Sequence, residues 1–261
     1  MPGMSAHATP APGPWHLISL RPQGEHAPLR RAAAQVGAAL LAVSPWRLQA
    51  IDDDDARDAL DTALAAPRVV FSSPAAVRAA AALRPLRAQP GQRWLAVGGG
   101  TARALRRHGI AEVAAPARMD SEGLLALPQL AGIDGAVGLV TAPGGRGLLA
   151  AQLQARGTPL YRADVYRRVP LPLQVRTLAR LRAAIGPGVL AVSSGEALQR
   201  VLAQLPEDIA GQWRRQPLVA ASARLADAAR ALGFVQVVEA DGPRPRQLAA
   251  AARAAIGAAL R

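Results

Sequence analysis

Short apolar runs alternate with longer stretches of Ala, Leu and Arg along almost the whole chain. The runs are strand-length and the stretches place apolar residues at helical spacing. From the N-terminal side this predicts strand Trp15–Leu20, helix Glu25–Val36 and strand Ala38–Pro45. A helix then opens on the acidic run Asp52–Asp55, where negative charge suits the positive end of the helix dipole, and continues to Ala65. Strand Arg68–Phe71, helix Pro74–Leu83, strand Arg93–Val97 and helix Thr101–Arg107 follow, then strand Glu112–Ala115 and helix Glu122–Leu130. The second half reads as strand Val137–Thr141, helix Arg146–Arg156, strand Leu160–Tyr166, helix Gln174–Ile185, strand Val189–Val192 and helix Glu196–Leu205. It closes with strand Leu218–Ala221, helix Arg224–Leu232, strand Val235–Glu239 and helix Arg246–Leu260. This alternation predicts an α/β protein with parallel sheets flanked by helices.

The pattern also repeats. Phe71-Ser72-Ser73 and Val192-Ser193-Ser194 both stand between a strand and a helix. Gly37 matches Gly157, Gly109 matches Gly233, and Leu20-Arg21-Pro22 matches Thr141-Ala142-Pro143. All four matches share an offset of about 120 residues, which predicts a duplication with units of 15–136 and 137–261. Sequence units need not be spatial ones. If the strand ends near Trp46 and Tyr166 carry the chain between lobes, residues 15–45 and 169–261 form one discontinuous lobe and 48–163 the other. Segments 44–47 and 164–168 are then the linker strands.

Composition narrows the chemistry. Hydrophobic residues make up 51% of the 261, enough for a core, but aromatics only 3%, so that core must be aliphatic. Cys is absent, which removes disulfides, thiolate nucleophiles and iron–sulfur clusters. All 31 basic residues are Arg, so there is no Schiff-base or P-loop lysine. The four His are scattered without metal-ligand spacing. A net charge of +13 suits anionic partners, though an Arg- and Ala-rich codon usage would produce it equally. Arg is spread over nearly every element rather than clustered on one, which argues against nucleic acid. No apolar stretch approaches the ~18 residues of a membrane span. Residues 1–14 are rich in Pro, Ala and Gly without a basic start or apolar run, so they read as a disordered tail rather than a signal peptide, and the expected location is the cytoplasm.

The loops carry the candidate chemistry. Gly145-Arg146-Gly147 follows a strand and matches a dinucleotide pattern loosely, with Asp164 downstream. Its other readings are an ordinary βα turn, or a turn that holds an anion with Arg146 and backbone N–H groups. Gly98-Gly99-Gly100-Thr101 lets backbone approach a ligand, or is a flexible turn with Thr101 as helix cap. One Ser of each pair, Ser72-Ser73 and Ser193-Ser194, is an expected N-cap; the other is free to face a ligand beyond the strand ends. Tyr166 is either core or site.

These segments resemble the uroporphyrinogen-III synthase family from about Leu17 to Ile256. The resemblance rests on Ser19-Leu20-Arg21-Pro22, Val70-Phe71-Ser72-Ser73-Pro74-Ala75-Ala76-Val77 and Ala96-Val97-Gly98-Gly99-Gly100-Thr101-Ala102. It continues through Ser121-Glu122-Gly123-Leu124, Gly145-Arg146-Gly147-Leu148-Leu149 and Asp164-Val165-Tyr166-Arg167-Arg168. Val192-Ser193-Ser194-Gly195-Glu196-Ala197-Leu198 and Ala229-Arg230-Ala231-Leu232-Gly233-Phe234 complete it. The chain departs from the pattern with Ala142-Pro143, where an Arg-Gly pair is common, and with Arg224-Leu225, where some relatives carry Thr.

The resemblance implies two flavodoxin-like parallel-sheet lobes joined by a two-stranded linker, with an active site in the cleft. It implies closure of the linear tetrapyrrole hydroxymethylbilane with loss of water and inversion of the last pyrrole ring. The product, uroporphyrinogen III, feeds haem, sirohaem and cobalamin synthesis. Neither cofactor nor metal is implied. Tyr166 becomes the expected catalytic residue, with Arg21, Ser72, Ser73, Gly99, Thr101, Arg146, Ser193, Ser194 and Ser222 expected to bind substrate. The enzyme is expected to be a monomer that meets hydroxymethylbilane synthase transiently. The competing reading is a two-lobed small-anion binding protein without catalysis.

Overall fold

The computed structural model describes residues 15–118, 121–130, 135–144, 147–184 and 187–259. The expected tail at 1–14 lies outside them. The chain divides into two compact units. One comprises the chain up to Arg47 together with the chain from Pro170 onward; the other is Leu48–Val169.

The first unit is built on strands β1 (Trp15–Ser19) and β2 (Ala38–Ala42), with helix α1 (Ala27–Gln35) between them. Strand β3 (Trp46–Ala50), one half of a two-stranded ribbon, leads into the second unit. That unit contains α2 (Asp54–Ala65), β4 (Arg68–Phe71), α3 (Pro74–Leu83), β5 (Arg93–Ala96), α4 (Gly99–Arg107), β6 (Val113–Ala114) and α5 (Ser121–Leu125). It continues with β7 (Val137–Thr141), α6 (Leu148–Ala155), β8 (Leu160–Asp164) and β9 (Tyr166–Pro170), the other strand of the ribbon. The chain then completes the first unit through α7 (Val175–Ala183), β10 (Gly188–Val192), α8 (Gly195–Leu202) and α9 (Glu207–Arg215). β11 (Leu218–Ala220), α10 (Ala223–Ala231), β12 (Val237–Glu239) and α11 (Pro245–Ala259) close it.

The first sheet runs β2-β1-β10-β11-β12, which by order of appearance within the unit is the flavodoxin-like 2-1-3-4-5 arrangement. The second runs β6-β5-β4-β7-β8. Its spatial plan is the same, with β7 and β8 in the places of β1 and β2; the chain enters the plan at a different strand. Registers agree as well. Trp15 pairs with Ala38 in β1–β2, and Val137 with Leu160 in β7–β8, the same spacing. All pairings described within both sheets are parallel.

Parallel strands are covered on both faces, so they read as continuous aliphatic runs. β10, Gly-Val-Leu-Ala-Val, is buried at every position. In the second unit the two-residue period of a strand sorts side chains into two cores. Val69 and Phe71 pack with Trp94, Val77 and Leu105, whereas Val70 and Leu95 pack with Leu124, Leu139 and Leu153. Phe71 stacks on Trp94 with centroids 5.6 Å apart. Gly138 in β7 lies against the end of α2; a Cβ there would stand 1.9 Å from the Ala63 carbonyl oxygen.

Several boundaries differ from the expectation, each for a local reason. The strand expected to run through Tyr166 changes partner at Val165. The Val165 N–H donates to the Thr141 carbonyl of the sheet, while its own carbonyl accepts from Ile51 N–H of the ribbon. The strand expected to end at Pro45 stops at Ala42, and a turn leads into β3. The helix expected over Glu122–Leu130 ends at Leu125, and Pro128, which has no N–H to give, starts a separate 3₁₀ turn. Helix α9 was not expected. Pro206 caps it, Glu207 and Asp208 open it, Arg214 and Arg215 close it, and Ile209, Ala210 and Trp213 are its buried stripe.

Candidate functional site

In an open parallel sheet, ligands bind beyond the carboxyl ends of the strands where strand order reverses. In the second unit that point lies between β4 and β7. Ser72, just after β4, donates to the Thr141 hydroxyl at the end of β7 over 2.8 Å. Ser73, next in the chain, caps α3 by accepting from Ala76 N–H at 3.1 Å, and Pro74 at the first helical position suits the cap. The Ser73 hydroxyl also lies 3.1 Å from the Tyr166 hydroxyl. Tyr166 is only 6% exposed, its ring packed in the core on the Phe71 face. It is the first residue of β9, directly after the partner change at Val165.

At the same sheet end is a cavity of about 170 Å3 lined by Ser72, Ser121, Thr141, Arg162 and the first turn of α6; neither Ser73 nor Tyr166 lines it. The Arg162 guanidinium, on β8, donates through Nε and Nη2 to the Asp164 carboxylate at 3.0–3.2 Å, and through Nη2 to the Ala142 carbonyl at 3.1 Å. Neither Thr141 nor Arg162 was among the expected site residues. The strand pattern gave no sign that Thr141 would meet Ser72 across the reversal point, or that Arg162 would turn toward it.

The remaining expected residues fall in different places. Gly99 lies in the first turn of α4 with open space where a Cβ would be. Thr101 is buried inside that helix, and Gly98 rather than Thr101 holds the N-cap position; the helix starts earlier than the glycine run suggested. Arg146 lies outside the described residues. In the first unit, Ser194 caps α8 by accepting from Ala197 N–H at 3.2 Å, while Ser193 is exposed. Ser222 stands at the start of α10 without a side-chain cap bond and lines a separate cavity of about 510 Å3 with Glu239 and Asp241.

Arg21 follows β1 in the first unit. Burial holds its guanidinium below the usual arginine range, opposed by Glu25, and its Nε is buried without a partner among the described residues. Next to it is a group the sequence reading missed. His26 is buried between the Ser19 and Ser44 hydroxyls, 2.9 Å from each. Burial, then Arg30 and Arg21, push its pKa down to about 4, so the ring is neutral at ordinary pH.

The model of the uroporphyrinogen-III synthase HemD family matches residues 27–250. The chain belongs to this family. The uroporphyrinogen-III synthase of Salmonella typhimurium is 36% identical over 152 residues, 57% of this chain and 62% of that protein. The Escherichia coli uroporphyrinogen-III synthase is 33% identical over 156 residues, 57% of this chain and 61% of that one. The chain therefore spans somewhat less than two thirds of the relatives it matches. Among solved structures, a mutant uroporphyrinogen III synthase of Thermus thermophilus superposes with a TM-score of 0.59 at 19% identity, covering 89% of this chain and 95% of that one. The uroporphyrinogen-III synthetase of Helicobacter pylori gives 0.60 at 16% identity, covering 94% and 99%. These two likenesses are of fold: an α/β chain with two parallel-sheet lobes, the arrangement of the uroporphyrinogen-III synthase family.

Proposed function

We propose that the chain closes hydroxymethylbilane to uroporphyrinogen III, with Tyr166 as the acid. The observation that carries this is the Ser73–Tyr166 hydroxyl pair at a sheet's carboxyl end, in a chain of this family. The substrate supplies most of the driving force. An electron-rich pyrrole expels its own hydroxide to give an azafulvene. The substituted carbon of the last ring attacks it to give a spiro intermediate, which fragments and recloses with that ring inverted. The protein has to protonate the departing hydroxyl, fix the ring geometry and hold carboxylate arms.

A phenol suits the first task when its oxygen already accepts a hydrogen bond. Ser73 accepts from Ala76 N–H with one lone pair, and in this proposal its O–H is the donor in the hydrogen bond with Tyr166 Oη. The tyrosine O–H is then left to donate to the leaving oxygen. Arg21, Ser72, Gly99, Thr101, Arg146, Ser193, Ser194 and Ser222 are proposed to hold the substrate's carboxylates and rings. In the same proposal the protein is a cyclising hydro-lyase, cytoplasmic and monomeric. It uses no cofactor or metal and receives its unstable substrate from hydroxymethylbilane synthase through a transient contact. Among the described residues no helix is long and apolar enough to cross a membrane.

The test is to supply hydroxymethylbilane and separate the isomers of the product. The type I isomer forms without enzyme. Dominance of type III supports the proposal; type I alone, at the uncatalysed rate, overturns it.

A further inference from the structure

Among the described residues, the cavity at the reversal point of the second sheet has one cation in its lining, Arg162, and its surroundings show what it is oriented for. A guanidinium has five N–H donors. Nε and Nη2 are engaged by Asp164 and the Ala142 carbonyl, which fixes the plane of the group. Nη1 keeps both hydrogens uncommitted among the described residues. Also in the lining, Ser72 donates to Thr141, so the Thr141 hydroxyl has spent an acceptor site and retains its proton. Ser121 adds a third hydroxyl. Val97, Leu139 and Leu149 give the lining its apolar part. Cationic and hydroxyl donors around a small apolar-backed space form a receptor for a compact anion with a hydrocarbon stem.

The space is large enough for such a stem. At ~30 Å3 per water in the liquid, 170 Å3 holds the equivalent of roughly five or six waters. That is room for one carboxylate on a one- or two-carbon arm with the edge of its ring. We infer that this cavity is the subsite for a single acetate or propionate arm of the substrate. Arg162, held in plane by Asp164, is the residue that pairs with the carboxylate. The inference rests on the proposed tetrapyrrole substrate but concerns binding rather than ring closure. It makes Arg162 a substrate-binding residue whose effect falls on KM.

Two measurements test it. The first is steady-state kinetics with hydroxymethylbilane for Arg162→Gln and Arg162→Lys, each checked for an unchanged melting temperature. Loss of one charge-assisted hydrogen bond is expected to raise KM about tenfold in the Gln variant, with kcat within about twofold and the type III isomer retained. The Lys variant keeps the charge but not the planar fork, and should recover part of the affinity. The second is titration of a monopyrrole carrying one acetate and one propionate arm, followed by NMR, against its dimethyl ester. The free acid is expected to bind the wild-type chain, with shifts confined to Ser72, Thr141 and Arg162, and not to bind Arg162→Gln; the ester is expected not to bind either. Equal binding of the free acid to both proteins, or an unchanged KM in a folded Gln variant, overturns the subsite. If the monopyrrole binds through Arg162 while the wild-type chain makes no type III product, the subsite stands and the proposed reaction falls.

Discussion

The carboxyl ends of the two sheets occupy matching positions and carry different chemistry. Ser19 ends β1 as Thr141 ends β7, and Ser193 follows β10 as Ser72 follows β4. In the second unit the two hydroxyls across the reversal point bond to each other. In the first unit Ser19 turns instead to His26 at the start of α1, and Ser193 is left exposed. The helix caps did not diverge: Ser73 and Ser194 each accept from the N–H three residues on. What the repeat preserves is the hydrogen bond that starts a helix. What it releases is the hydroxyl one position earlier, which no backbone group requires. At the β4–β7 reversal point the hydroxyls line a cavity, whereas after β1 the Ser19 hydroxyl is tied into a Ser19–His26–Ser44 chain.

The largest expected difference is in packing at two sheet glycines, one per unit. Gly138→Ala drives a Cβ into the Ala63 backbone carbonyl, which moves only if α2 moves, so it should cost upwards of about 3 kcal/mol. Gly188→Ala meets only the tip of the Gln216 side chain at 2.9 Å, and should lie within about 1 kcal/mol of neutral once the entropy gained over glycine is counted. Denaturant midpoints of the two variants check this; similar midpoints would mean that α2 yields easily and the two sheets are equally tolerant.

Next in size is Tyr166→Phe. With the ring kept in its core, folding should survive, while kcat falls only about 10- to 100-fold because the azafulvene also forms without the enzyme's help. KM should move less, since a hydrogen bond to the leaving oxygen strengthens as charge develops there. Full kcat with type III product would reduce Tyr166 to packing and remove the main functional difference between the sheet ends.

The smallest effect belongs to His26. Its folded pKa of about 4 lies below the usual 6.5, so between those values the unfolded chain binds more protons than the folded one. Stability therefore rises with pH across that window and is lost as pH falls from about 6.5 toward 4. The loss should be on the order of 1 kcal/mol, less than the full shift implies, because solvent screens part of the ring's field. Hydrogen exchange should show the first unit losing protection before the second on acidification, and His26→Gln should flatten that dependence. Simultaneous loss in both units would show that the closed chain is not what distinguishes them.

The sequence by itself determined the strands of the two five-stranded sheets, because a parallel strand buried on both faces must be aliphatic throughout and few other segments can look like β10 or β4. It also determined three helix starts, since Ser73, Ser194 and Asp53 announce caps by residue type, and Asp53 does accept from Ala56 N–H at 2.9 Å. The order of motifs carried the family. Helix α9 was hidden because its buried stripe has only three members among charged residues.

Tertiary structure alone decided where strands exchange partners and which polar groups meet. The unit boundary at Val169 and the placement of Tyr166 both follow from the change of partner at Val165, a hydrogen-bond choice that leaves no mark on local composition. Ser72 and Thr141 are 69 positions apart, and Arg162 reaches a carbonyl 20 positions back. Such contacts depend on register across the sheet, and register is fixed by the packing of both faces together rather than by either segment alone.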